Sequence, residues 1–337
     1  MAARSFGTIL TSADGVTWTA RVSGTAVDLK SITYGNNVFI AVGYSIVGDS
    51  TVVYAASDDA TWTWTSVNFD EGNYIDSISC GVNKFIIAGF YYDATYDYWE
   101  DMIWSSADGK KWDVSRIADE VLWLNSITYI NNKFFAIGEY EDWIFYEIPP
   151  ATIVYTSVDG INWGYHTYDL ADYPDIMGMT DIAYGNNQYV AVGNNGKVLS
   201  SPDGINWQNN TPKDYWAVAY GSENFVSVGM NGTIVSSSNG NQWRKRVSGT
   251  SAHLYGVVYG GNKFVAVGDN GIVLTSPDGN KWNKLSDVSD STFYDITYGS
   301  SLFVAVRWVR GYVSQLFLLY NQRYYHIWRR DQLGCGA

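Results

Sequence analysis

An all-β fold, a seven-bladed β-propeller of four-stranded antiparallel blades, is what this sequence predicts. Three observations carry the prediction. One turn motif occurs seven times, one strand pair occurs seven times in alternation with it, and the chain both starts and stops in mid-repeat. Repeats of about 40–45 residues with four strands and a periodic Gly and Trp signature are the sequence form of a propeller blade.

The turn motif begins as TSADGVTW (Thr11 to Trp18), followed by AASDDATW (Ala55 to Trp62), SSADGKKW (Ser105 to Trp112) and TSVDGINW (Thr156 to Trp163). It continues as SSPDGINW (Ser200 to Trp207), SSSNGNQW (Ser236 to Trp243) and TSPDGNKW (Thr275 to Trp282). Successive Trp residues stand 44, 50, 51, 44, 36 and 39 positions apart. The strand pair reads SITYGNNVFIAVG from Ser31, SISCGVNKFIIAG from Ser77, SITYINNKFFAIG from Ser126 and DIAYGNNQYVAVG from Asp181. It recurs as AVAYGSENFVSVG from Ala217, GVVYGGNKFVAVG from Gly256 and DITYGSSLFVAV from Asp295.

Each element has a local reason. The ITY stretch is the first strand, and the YGNN-type cluster behind it is a turn, because Asn and Gly tolerate positive φ. The FVAVG run is too short for a helix and rich in β-branched residues. It is apolar on both faces, so it must be covered on both, as when sheets stack face to face. A Gly-containing connection leads to the third strand (GKVLSS, GTIVSS, GIVLTS), then the Asp-containing turn, then a fourth strand opening with Trp.

The phase of the repeats predicts how the ring closes. The chain opens with strands three and four and its regular part ends on strands one and two. Residues 5–20 and 292–306 therefore share one blade, the N-terminal strands completing the C-terminal blade, within a single domain over 1–306. Closure of this kind leaves no unpaired terminal edge.

The S-x-D-G-x-x-W turn resembles the Asp-box, or bacterial neuraminidase repeat, of sialidase-type propellers, and also the repeats of the photosystem II assembly-factor family. The resemblance spans residues 5 to about 306 and implies the fold. Asp or Asn accepts from the backbone two residues on, Gly supplies the left-handed position, and Trp covers the turn. Asp14, Asp58, Asp108, Asp159, Asp203, Asn239 and Asp278 are thus expected to be structural. The second copy departs, with Asp58–Asp59 where Asp–Gly is expected. Sialidase activity is not implied. Gripping a substrate carboxylate favours several arginines, and outside the last 31 residues the chain has only Arg4, Arg21, Arg116, Arg244 and Arg246. The Arg-Ile-Pro motif expected ahead of the first Asp-box is also lacking. Arg116-Ile117-Ala118 stands after the third.

Composition narrows the rest. The 337 residues carry 34 acids against 21 bases, net −13, with charged and aromatic residues at 16% each. That excludes a disordered or collagen-like chain, and no apolar stretch reaches the ~18 residues of a membrane span. Acidity argues against nucleic acid as a partner. Two cysteines and three scattered histidines predict neither a disulfide framework nor a metal site, and no cofactor fingerprint or catalytic motif occurs. The N-terminus shows no cleavable signal, so a cytoplasmic location is the default expectation, with an extracellular protein or a phage-particle component as alternatives.

The repeats differ most between strands two and three. Blades after residue 190 make this connection with NNG, MNG or DNG, whereas earlier ones insert Phe90–Met102 and Glu139–Ile148. The fourth-strand exit Tyr165–Asp175 is long too, and emerges on the same rim, opposite the Asp-containing turns. These 34 residues hold 13 aromatics and 11 acids with no Lys or Arg. Functional sites favour loops on a rigid scaffold, so the sector predicts a ligand site with Tyr92, Tyr96, Trp99, Trp143 and Tyr146 as contacts and Asp97 and Asp142 as polar partners. The first reading is a non-enzymatic recognition propeller binding a glycan. A protein-interaction or assembly scaffold is the alternative, and a glycoside hydrolase ranks third. The last segment, 307–337, is atypical: it holds half of the ten arginines and one acid, Asp331. It reads as a basic extension docking on the acidic body, or as a non-native, disordered end.

Overall fold

The structure, a computed structural model, describes residues 8–25, 27–44, 50–56, 63–69, 72–93, 95, 98–116, 122–140, 151–168, 179–193, 197–211, 215–285 and 291–308. These residues form seven four-stranded antiparallel sheets. The innermost strands are Asp28–Gly35, Asn73–Gly81, Leu122–Ile130, Met179–Gly185, Tyr215–Gly221, Leu254–Gly260 and Thr292–Gly299, in blades one to seven. Each packs on the next, and the seventh packs on the first, closing the ring. No described helix is long and apolar enough to cross a membrane.

Closure follows the split blade. Thr8–Ser12 pairs antiparallel with Leu302–Trp308, matching Ile9 to Val306 and Ser12 to Phe303. The strand continues through Arg307 and Trp308, opposite Phe293 and Thr292. Arg307 donates from Nη1 to Thr8 Oγ1 at 3.3 Å, so the first residues of the basic segment belong to the sheet. Positions 309–337 lie outside the described residues.

The apolar second strands explain why the sheets stack. Phe39 to Val42, Phe85 to Ala88, Phe134 to Ile137 and Val265 to Val267 are all buried on both faces. The core is accordingly seven layers, one between each pair of neighbouring blades. Ile9, Val304 and Val306 of blade seven meet Leu29, Ile32 and Phe39 of blade one. Ile86, Ala88 and Ile103 of blade two meet Leu124, Ile127 and Phe134 of blade three.

Two local devices set the strand geometry. The turns after the first strand put both central residues at positive φ, as Asn36 (49°) with Asn37 (61°) and Asn186 (47°) with Asn187 (56°). That is the twist a tight antiparallel hairpin favours. The Gly ending the first strand admits the Tyr of the next blade. A Cβ at Gly221 would fall 2.0 Å from the Tyr259 ring, and one at Gly260 2.1 Å from the Tyr298 ring. Tyr-Gly in the repeat is therefore one contact across an interface, written by two blades.

Phe90–Met102, expected as a connection, is largely ladder. Lys84–Asp93 and Tyr98–Ser106 pair without a break from Phe85 opposite Ser106 to Asp93 opposite Tyr98. Its aromatic residues, Phe90 to Tyr92 and Tyr98 with Trp99, extend the hairpin because aromatic side chains suit a pleated strand.

Candidate functional site

Every innermost strand carries a β-bulge at the same place. Register slips between Leu29 and Ser31, Ile75 and Ser77, Leu124 and Ser126, and Met179 and Asp181. It slips again between Tyr215 and Ala217, Leu254 and Gly256, and Phe293 and Asp295. The extra residues are Lys30, Asp76, Asn125, Thr180, Trp216, Tyr255 and Tyr294. A bulge frees its residue from pairing and re-aims the side chain. All seven line one cavity of about 490 Å³ in the central channel. They stand near the start of the first strand, on the face that carries the connections between strands two and three.

This mouth is divided. On blades five to seven, Trp216 stacks on Tyr255 (centroids 4.9 Å apart, planes at 5°), and Tyr255 stacks on Tyr294 (4.7 Å, 14°). Parallel rings at this spacing form a continuous apolar wall. The wall is braced from outside, where Tyr255 and Thr292 hydroxyls both donate to Asp269 Oδ1 at 3.3 and 3.2 Å. His253 accepts at Nδ1 from the Asn231 N–H at 3.0 Å and packs edge-on against Trp216 at 5.5 Å. On blades one and two, Lys30 donates from Nζ to the Tyr44 hydroxyl at 2.6 Å and pairs with Asp76 at 3.4 Å. Its Nζ also lies 4.0 Å from the Tyr44 ring centre.

One residue further along the strand, the side chains of blades one, two, four and seven reach sideways to the next blade. Ser31 Oγ accepts from the Ile78 N–H (3.4 Å) and Ser77 Oγ from the Ile127 N–H (3.0 Å). Blades four and seven place a carboxylate here. Asp181 takes the Ile182 N–H on Oδ1 and the Val218 N–H on Oδ2, both at 2.8 Å. Asp295 takes the Ile296 N–H (2.7 Å), the Ile32 N–H (2.8 Å) and the Ser31 hydroxyl (2.9 Å). Burial pushes both carboxyls up, against these donors, Asp181 to about 7 with a contribution from the Asp295 charge and Asp295 to about 6. A raised carboxyl is a general-acid signature. Here each oxygen already accepts a backbone N–H bond, so both carboxyls are tied into the seams between blades.

On the opposite rim the S-x-D-G turns close on themselves. Asp203 Oδ1 takes the Ile205 and Asn206 N–H groups, both at 2.8 Å, and Ser201 Oγ takes the Gly204 N–H at 2.9 Å. Asp14, Asp108, Asp159, Asp278 and Asn239 repeat the pattern. Asp58 lies outside the described residues.

Of the loop-sector residues, Tyr92 is half-buried and its strand partner is Trp99. Tyr96, Asp97, Asp142, Trp143 and Tyr146 lie outside the described residues. No described group of three or more His, Cys, Asp or Glu could hold a metal ion. Sequence reasoning missed the channel mouth, because each strand motif was aligned from the residue just after the bulge. The signal was the least conforming column beside the repeat: Lys, Asp, Asn, Thr, Trp, Tyr, Tyr.

A scan against protein-family models and a search of curated proteins both return no match. Solved structures do resemble the chain. It superposes on a protein described as YCF48 bound to D1 peptide with a TM-score of 0.59 and 17% identity, covering 85% of this chain and 93% of that one. YCF48 from Cyanidioschyzon merolae gives 0.57 and 15%, over 83% and 95%. The C-terminal WD40 domain of Sif2 gives 0.50 and 9%, over 85% and 97%. At these identities the likeness is one of fold.

Proposed function

We propose that this protein is a non-catalytic recognition propeller that takes a segment of a partner polypeptide at the channel mouth, on its loop-bearing face. The divided lining carries the reading: a rigid aromatic wall faces a Lys–Asp pair across a cavity of about 490 Å³, within the usual range for ligand sites. Apolar surface beside a few fixed polar groups suits a polypeptide, whose side chains and backbone offer both. Sugar stacking needs an open ring face, and Tyr255 has a parallel ring on each of its two faces. The middle ring of the wall therefore offers no face for sugar stacking. YCF48, similar in fold, is described with a bound peptide. The acidic-aromatic stretch around Tyr92 rises beside the mouth and supplies the outer part of the surface.

Selection from a displayed peptide library against the full chain tests this. A consensus sequence whose binding weakens about tenfold or more, roughly 1.4 kcal/mol, in Trp216→Ala is the expected result. No consensus, beside specific hits on a glycan array, would overturn it in favour of the glycan.

A further inference from the structure

We propose that the channel mouth is a receptor for an organic cation, the guanidinium or ammonium of an Arg or Lys side chain, held by the Trp216–Tyr255–Tyr294 wall and the carboxylates of Asp181 and Asp295. This rests on the polypeptide reading above and names the chemistry of the segment that enters.

Charge accounting comes first. Among the described residues, the charged groups lining the cavity are Lys30, Asp76, Asp181 and Asp295. Lys30 and Asp76 pair with each other, and the Tyr44 hydroxyl takes a further Lys30 proton. The remaining two are carboxylates whose hydrogen-bond donors are backbone N–H groups and the Ser31 hydroxyl, all neutral. Two carboxylates without a counter-charge among the described residues attract a cation, and the engaged Lys30 offers little to an anion.

The placement agrees. The aromatic stack has two ends, and a carboxylate adjoins each. Asp181 reaches from blade four to the Val218 N–H, two residues beyond Trp216. Asp295 directly follows Tyr294. Aromatic rings attract cations through their negative faces, Trp most strongly, and more so away from water; in this stack the faces turned away from Tyr255 are those of the end rings, Trp216 and Tyr294. A carboxylate beside an aromatic face is the pairing that guanidinium groups favour, since they stack and donate at once. Burial of the carboxyls opposes their ionisation, so a cation entering the channel binds with release of protons and binds more strongly as pH rises.

The test uses small probes, so that it does not depend on finding the partner. N-acetyl-arginine methylamide, the lysine analogue and the uncharged citrulline analogue would be titrated into the full chain by calorimetry and saturation-transfer NMR. The arginine probe is expected to bind about tenfold or more tightly than citrulline, which has nearly the same shape without the charge. Trp216→Leu should weaken the arginine probe roughly fivefold, and Asp181→Asn should narrow the arginine–citrulline difference. If Asp181→Asn fails to fold, Trp216→Leu and Tyr294→Leu carry the test, since neither residue is fully buried. Equal binding of arginine and citrulline, or no binding of either, overturns the proposal. Selected peptides lacking Arg and Lys would also overturn it while leaving the polypeptide reading intact, whereas absence of any consensus strikes that reading instead.

Discussion

Asp181 and Asp203 lie in the same blade, and each accepts two backbone N–H groups at 2.8 Å. The Asp203 carboxyl is nevertheless held well below the usual carboxylate range, first by its bonds from Asn206 and Ile205, while burial lifts Asp181 to about 7. Backbone hydrogen bonding is matched; Asp203 adds side-chain bonds from Asn206 and Ser201, and the larger difference is solvent. On the rim, water still solvates the charge and the N–H donors are nearly pure gain. In the channel seam, the same donors only offset the loss of water.

The largest test of this contrast removes each acceptor. Asp295→Ala leaves the Ile32 and Ile296 N–H groups and the Ser31 hydroxyl without it at the seam that closes the ring. A loss of about 2–4 kcal/mol in denaturant unfolding is expected, because buried unsatisfied donors cost the most. Asp203→Ala should cost about 1 kcal/mol or less, since water replaces the carboxylate. Equal losses would break the comparison.

Stability should also depend on pH in two opposed ways. Asp181 and Asp295 bind protons more tightly folded than unfolded, so their contribution is full below about pH 4 and is lost as pH rises through about 6 and 7. Asp14, lowered to about 2 chiefly by the Thr17 and Val16 N–H groups, contributes above about pH 4 and loses it as pH falls toward 2. Denaturation midpoints measured from pH 2 to 8 should therefore peak near pH 4–5. Asp181→Asn should flatten the alkaline arm and leave the acid arm. An acid arm that flattens instead would contradict the assignment.

Smaller effects sharpen the same picture. Ala217 stands where blades one, two, four and seven offer Ser or Asp to the following blade, so it has no side-chain oxygen for the Val257 N–H. Ala217→Ser should gain up to about 1 kcal/mol, the net worth of one hydrogen bond. Trp216→Leu should lower stability by no more than about 0.5–1 kcal/mol from the lost stacking, while weakening ligand binding. A large fall in stability would mean that the mouth is core and not a site.

Blade number and ring closure were legible because turn chemistry is local and repeated. Gly after Asp, Asn after Gly and Trp three residues beyond Gly recur often enough that one degraded copy at Asp58–Asp59 does not obscure the count. Inserted segments were legible only as extra length. Whether Phe90–Met102 would be loop or ladder depended on strand pairing, since Tyr92 opposite Trp99 requires the hairpin to extend. The channel mouth was not legible at all. Lys30 and Asp76 stand 46 positions apart, and Trp216 and Tyr255 stand 39 apart. Nothing in either neighbourhood says that they face one space.

The sequence by itself determined a seven-bladed, four-stranded ring closed through a shared blade, because those features follow from short motifs acting within a few residues. Only the tertiary structure decided what lines the channel and which aspartates resist ionising. A bulge re-aims one residue per blade by shifting register, and radial packing brings seven distant positions to one mouth. Burial, which no local pattern of residues specifies, then lifts the carboxyls of Asp181 and Asp295 beside that mouth.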